Sequence, residues 1–260
     1  MNYLRYILGL LISIPFLPIL YLQGKRVDKE VPRLPEAEDP RGTVGESTYP
    51  PMKLLALGES TFAGVGVSRH EEGFAGALAR NLASLYERKV EWEVIAQSGY
   101  TARQVREVLL PQSQQAQPDL IVLGIGANDA FKLNTPWGWE KEVVELIRDI
   151  KIIHPNIPIV FASLPPIKHF PAFTPLMQFF IGGLVEILGD CLPAIASAYP
   201  DIYYHNTRFQ PEDWTAYQHE DEDVNQFFSD GVHPSKLAYE IWGKELAFFI
   251  STQIGKVISL

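Results

Sequence analysis

The hydrophobic pattern changes character three times along the chain. From Tyr6 to Leu22 the run YILGLLISIPFLPILYL carries no charge, and its 17 residues, at about 1.5 Å each, reach roughly 25 Å, just short of a ~30 Å hydrocarbon core. Residues 27–51 are rich in Pro, Glu, Asp and Gly and follow neither the helical nor the strand period, which predicts an extended linker without chemistry. From Lys53 onward short β-rich runs alternate with longer amphipathic stretches. Strands are expected at 53–57 (KLLAL), 92–96 (WEVIA), 119–125 (DLIVLGI), 158–163 (PIVFAS) and 201–205. Helices are expected at 73–87, 101–110, 137–153, 176–198 and 235–254. Five βα units of this kind make an α/β domain, a parallel sheet with helices on both faces. The chain thus divides into an N-terminal apolar segment (1–26), a linker (27–52) and one folded body (53–260).

The first segment reads as a retained transmembrane helix, a single-pass anchor. A cleaved signal peptide is the alternative, but the apolar run is long for one, and no small-residue cleavage site precedes Gln23-Gly24-Lys25-Arg26. Tyr3, Tyr6 and Tyr21 fall near the two interfaces. Pro15 and Pro18 weaken the helix and leave a hairpin-like or shallow insertion open. Arg5 stands before the run, whereas Lys25, Arg26, Lys29 and Arg33 follow it, so the positive-inside rule leans toward a cytoplasmic-facing body.

Composition removes whole classes of function. A chain of 260 residues that is 47% hydrophobic buries a real core and is too short for a large multidomain enzyme. A net charge of −9 opposes nucleic-acid binding. The single cysteine, Cys191, cannot form an internal bridge and is expected to be a small buried hydrophobe, and no Cys/His pattern suits a structural zinc.

Open α/β sheets bind ligands beyond the carboxyl ends of their strands. The segments there are Gly58-Glu59-Ser60-Thr61, Gln97-Ser98-Gly99-Tyr100, Gly126-Ala127-Asn128-Asp129 and Leu164-Pro165-Pro166, with Asp230-Gly231-Val232-His233-Pro234 ahead of the last helix. Each alone has a bland reading: Ser60 as a helix cap, Gly99 as a turn glycine, Asn128-Asp129 as a turn pair, Pro234 as the first residue of a helix. Together they supply an acyl-transfer apparatus. Ser60 would be the nucleophile, and His233 the base, since an imidazole can take and return a proton near neutrality. Asp230, on a turn loosened by Gly231, would orient the ring. The backbone N–H groups of Ser60 and Gly99 and the side-chain amide of Asn128 would receive the oxyanion, with Gly99 leaving room for substrate.

Ser60 in GES, Gly99 in QSGYTA, Asn128 in GAND and His233 in DGVHP resemble, in chain order and spacing, the four blocks of the SGNH (GDSL-type) hydrolases, over roughly Lys53 to Phe249. The resemblance implies a three-layer flavodoxin-like fold with a five-stranded parallel sheet in the order 2-1-3-4-5. It also implies esterase, lipase, thioesterase or carbohydrate-deacetylase activity without metal or organic cofactor. Glu59 departs from the pattern, where the family usually has Asp.

Other motifs fare worse. Gly58-Glu59-Ser60-Thr61-Phe62 lacks the closing glycine of an α/β-hydrolase elbow, and Gly64-Val65-Gly66 lacks the third glycine of a dinucleotide fingerprint. His70, His154, His169, His205 and His219 have no ligand spacing and read as structural or surface residues. His169, in the proline-broken loop, is a candidate to touch substrate, and His219 with the acidic run Glu220–Asp223 could hold a cation, although such a run is more often a solvated loop. The proline-broken segment 164–180, LPPIKHFPAFTPLMQFF, follows the fourth strand, and its Phe170 and Phe173, with Leu176 and Phe179, are candidates for an acyl-binding wall or a lid. The function expected is hydrolysis of a lipid or long-chain carboxylic ester through an acyl-serine. A carbohydrate O-acetyl esterase or an acyltransferase of the same fold is the runner-up, and a non-catalytic binding or scaffold protein is the rival from another class.

Overall fold

The computed structural model describes residues 2–207 and 224–255. Among these, six strands form one sheet in the order β1-β3-β2-β4-β5-β6. They are β1 (Arg41–Val44), β2 (Met52–Gly58), β3 (Val90–Ala96), β4 (Leu120–Gly124), β5 (Ile159–Phe161) and β6 (Ile202–Tyr204). The parallel part, β3-β2-β4-β5-β6, has the expected 2-1-3-4-5 order, and the expected count of five is corrected to six by β1, which pairs antiparallel with β3. This strand comes from residues read as linker. Its sequence, RGTV, is short, half exposed and contains a glycine, so no apolar alternation announced it.

The central strands are apolar on nearly every residue because both sheet faces are covered. Leu55, Leu57, Ile121, Leu123, Ile159 and Phe161 turn to one core, and Leu54, Ala56, Leu120, Val122 and Val160 to the other. On the second face lie α3 (Phe74–Tyr86) and α9 (Lys236–Gln253), with Phe74, Leu78, Tyr239, Trp242 and Leu246 inside. On the first lie α6 (Pro136–Ile153), α7 (Pro175–Gly189) and α8 (Leu192–Ser197), together with the winding that begins at α4 (Ala102–Gln104).

Two expected helices are remodelled by proline. The 101–110 helix passes through π winding over Val105–Leu109 and tightens to a 3-10 turn at Leu110–Ser113, where Pro111 lacks the N–H that a regular helix needs. The 176–198 helix breaks between α7 and α8, ahead of Pro193, a residue suited to a helix's first turn. The last helix opens where expected: Pro234 precedes Ser235, whose hydroxyl caps α9 by accepting from the Ala238 N–H. Cys191 is buried, as expected of a small hydrophobe.

At the N-terminus, α1 (Asn2–Ser13) and α2 (Leu17–Glu30) are joined by a 3-10 turn at Ile14–Phe16 beside Pro15 and Pro18. The helical run Tyr3–Glu30 is apolar and long enough to cross a membrane, and it is almost wholly exposed.

Candidate active site

Register brings the loops together. Gly58 pairs with Ala96 on one side and Gly124 on the other, so β2, β3 and β4 end at one level and release the Glu59–Thr61, Gln97–Tyr100 and Ile125–Asn128 loops side by side. A Cβ on Gly58 would collide with the Gly124 carbonyl, and one on Gly124 with the Phe62 ring, so both glycines are required for this approach.

Ser60 lies half-buried at the start of a tight turn closed by Ala63 N–H to Glu59 C=O (2.9 Å) and Val65 N–H to Ser60 C=O (3.2 Å). Gly99 has φ +82°, a conformation a side chain would strain, and a Cβ there would meet nothing within 4 Å. Its loop is held by Lys132 Nζ, which donates to the Gly99 carbonyl (3.1 Å), and by Glu36, whose carboxylate accepts from Ser98 N–H and Gln97 Nε2 (both 2.6 Å). The presumed linker therefore buttresses the site. Buried Asp129 ties the same loop to α5 (Ala127–Phe131) by accepting from Ala102 N–H (2.8 Å) and Asn134 Nδ2 (2.7 Å). Burial raises the Asp129 pKa, against those two bonds.

On the opposite wall, the turn at Gly231 (φ +83°) folds the Asp230 carboxylate back onto Val232 N–H (2.9 Å) and His233 N–H (2.7 Å). Its other oxygen accepts from His233 Nδ1 at 2.8 Å. A carboxylate only accepts, so Nδ1 carries the proton and Nε2 is left with a lone pair. The Asp230 side chain is fully buried, and burial pushes its pKa up, but the bonds and charge of His233 and the Val232 N–H outweigh this and hold it below the ordinary carboxylate value. Ser229 Oγ locks this turn to that of Ser60 by bonding the Gly66 carbonyl at 3.0 Å.

Ser60, Gly99, Asn128 and His233 all line one cavity of about 280 Å³. No hydrogen bond joins Ser60 to His233 among the described residues; such bonds often tighten only around substrate. Among the same residues the backbone N–H groups of Ser60 and Gly99 donate to no protein acceptor, although each borders the cavity. These are the donors an oxyanion needs.

Glu59, which the sequence flagged only as a departure, has a definite place. Its buried carboxylate accepts from Ala127 N–H (2.8 Å), Asn128 N–H (2.9 Å) and Asn128 Nδ2 (2.6 Å). One proton of the Asn128 amide is thereby fixed and the other is available to the cavity. Burial pushes the Glu59 pKa up to about 7, against the three N–H donors. A carboxyl that keeps its proton to about pH 7 when folded but titrates near 4.5 when exposed makes the folded state bind the extra proton between those values. Stability should therefore fall as pH rises through that window. Thermal melts should show the fall, and Glu59→Gln should flatten it.

Phe170 lines the cavity with Phe131, Pro165, Phe228 and Trp242. Phe173 does not; it stacks edge-on behind Phe170 (ring centroids 5.5 Å) and Phe131 (5.9 Å). Phe179 is exposed and points elsewhere, and neither Leu176 nor His169 borders the cavity. Phe131, Phe228 and Trp242 escaped the sequence reading because Phe131 and Phe228 fall outside every expected element and Trp242 lies in a helix that read as ordinary core. His70, His154 and His205 are buried, and burial lowers each pKa, that of His70 to about 4. His219 and Glu220–Asp223 lie outside the described residues.

Residues 56–241 match the GDSL-like lipase/acylhydrolase family, and the chain belongs to it: an α/β hydrolytic enzyme of the esterase/lipase type. Among curated proteins, none matches the sequence. Solved structures share the fold at low identity. The lipase/acylhydrolase from Enterococcus faecalis is 21% identical, with a TM-score of 0.53 over 78% of this chain and 96% of its own. A psychrotrophic esterase from Pseudoalteromonas is 16% identical (TM-score 0.57, 78% and 98%), and a family 3 carbohydrate esterase from Clostridium thermocellum 17% (0.56, 80% and 98%).

Proposed function

We propose that the protein hydrolyses a carboxylic ester with an apolar acyl group, through an acyl-serine on Ser60. His233 Nε2 takes the Ser60 proton as Oγ attacks the carbonyl carbon. The oxyanion settles on the N–H groups of Ser60 and Gly99 and the Asn128 amide, and collapse expels the alkoxide with the proton from His233. Water, activated in turn by His233, releases the acid. The observation that carries this reading is the convergence of two unpartnered backbone N–H groups, an amide fixed by Glu59 and an imidazole fixed by Asp230 on one cavity.

The wall supplied by Phe131, Phe170, Phe228 and Trp242 favours a lipid-like acyl chain over a sugar O-acetyl group, which would need more hydroxyl partners. A panel of p-nitrophenyl esters tests this. kcat/KM should rise at least tenfold from acetate to a medium chain, and a maximum at acetate would favour the carbohydrate-esterase alternative. The mechanism recruits no metal, so activity should survive EDTA; loss restored by a divalent ion would return attention to His219 and Glu220–Asp223.

In the same reading the N-terminal segment, 1–26, is a retained membrane anchor rather than a removed signal sequence, with the body, 53–260, on its cytoplasmic side and 27–52 between them. The uncharged stretch between Arg5 and Lys25 supports this. Intact mass and fractionation of the full-length protein test it: a chain lacking the segment, or one recovered only in the soluble fraction, would overturn it.

A further inference from the structure

We propose that the N-terminal helices do not cross the bilayer but lie within one leaflet along α7, so that the body sits on the membrane with its cavity mouth beside the lipid. This rests on the membrane reading above and concerns how the membrane is met.

Both ends of the segment are tied to the same body. Arg5 pairs with Glu186 (2.7 Å) and Asp190 (3.3 Å) at the far end of α7, and Thr174, the cap of α7, donates to Gln23 Oε1 (2.7 Å). Between them Phe16 meets Phe180 (5.7 Å). The segment therefore runs antiparallel along the whole of α7. A span would carry its two ends to opposite sides of the bilayer, and α7 cannot follow, because Met177, Leu184, Val185 and Leu188 are fixed in the core.

The residue pattern is inverted relative to a soluble helix. Tyr6, Ser13, Leu20 and Val27, spaced by seven, form the stripe against the body. Leu4, Leu8, Leu11, Ile12, Ile19 and Leu22 are among the large apolar side chains left outside. A surface apolar over most of its circumference needs a solvent other than water. Charge selects lipid as that solvent: none occurs between Arg5 and Lys25, and charged residues of both signs resume over Lys25–Glu30, where the helix would meet headgroups.

The apolar surface continues to the cavity. Trp137, half exposed, touches Tyr6 edge-on (5.4 Å), and Phe131 borders the cavity six residues earlier. Between them Leu133 is 56% exposed at φ +56°, a strained position for a branched apolar residue at a loop tip. Phe179, exposed on α7, touches Phe180, which in turn meets Phe16 of the N-terminal segment.

The test uses the full chain on phosphatidylcholine/phosphatidylglycerol vesicles. An environment-sensitive dye is placed at Leu133→Cys, Phe179→Cys and, as a remote exposed control, Ile152→Cys. Dyes at 133 and 179 should shift blue and be quenched several-fold more than the control by a lipid-borne quencher. Epitopes at the two chain ends should be accessible from the same side of sealed vesicles. Leu133→Asp with Phe179→Asp should slow hydrolysis of a vesicle-borne ester at least fivefold and leave a soluble short-chain ester unaffected. Ends on opposite sides, with both dyes behaving like the control, would overturn the in-plane arrangement while leaving the anchor intact. A chain that does not bind vesicles would overturn both. A blue shift without lipid that grows with protein concentration would assign the surface to a second copy of the chain and overturn the lipid assignment.

Discussion

Ser60→Ala should lower ester hydrolysis by on the order of 10⁴-fold or more and abolish labelling by a fluorophosphonate, with a melting temperature unchanged to within about 2 °C. The activity loss is large because, in the proposed mechanism, the hydroxyl is the atom that bonds the acyl group. Without it the oxyanion donors and His233 can only assist water, and a residual rate some 10³-fold above background is the most such a site keeps. The stability change is small because the Ser60 side chain makes no hydrogen bond among the described residues, so its removal orphans no partner. The same experiment separates the enzyme from a scaffold that merely keeps the fold. A scaffold would show neither labelling in the parent nor a difference in the variant, and a variant as active as the parent would remove Ser60 from the chemistry.

How much of this was legible in the sequence depended on how locally each feature is encoded. The parallel strands were visible because burial on both faces makes runs such as LLAL and LIVLG apolar throughout, and their carboxyl ends pointed to the loops that now border the cavity. The Asp230-His233 pair was legible because its geometry lies within four residues of chain. β1 was not, since an edge strand with one neighbour has no apolar face to declare. Glu36 was hidden for a related reason: an acidic residue in a proline-rich stretch looks solvated until the fold brings it to Ser98. Phe173 and Phe179 were placed on the acyl wall by proximity in sequence alone. In space the prolines turn the segment so that Phe170 faces the cavity, Phe173 backs it and Phe179 leaves on α7. The apolar N-terminus was plain, but its contact with α7 rests on pairings such as Arg5 with Glu186 that lie 181 residues apart in sequence.

The second large effect is expected at Asn128. Asn128→Ala should reduce kcat by about 10²- to 10³-fold with little change in KM, since in the proposed mechanism the amide acts on a charge that exists only in the transition state. Glu59→Gln should reduce kcat too, but less, near 10-fold. The amide cannot accept at both of its ends, so one of the positions that receives Ala127 N–H or the two Asn128 donors becomes a donor itself. If Glu59 works by holding Asn128, the two losses are not independent. Adding Glu59→Gln to Asn128→Ala should cost little further kcat, although the double variant should still melt differently with pH from Asn128→Ala alone. Multiplicative losses would instead mean that Glu59 shapes the Ser60 turn directly. Glu59→Asp separates the two further: the family's usual residue is one methylene shorter, so it retains the carboxyl group but must draw the Ser60 turn toward α5 to reach Ala127 and Asn128. A kcat near that of the parent would show that the backbone can absorb the shift. A kcat as low as that of Glu59→Gln would show that the reach of the carboxyl group, and not its presence alone, sets the Asn128 amide.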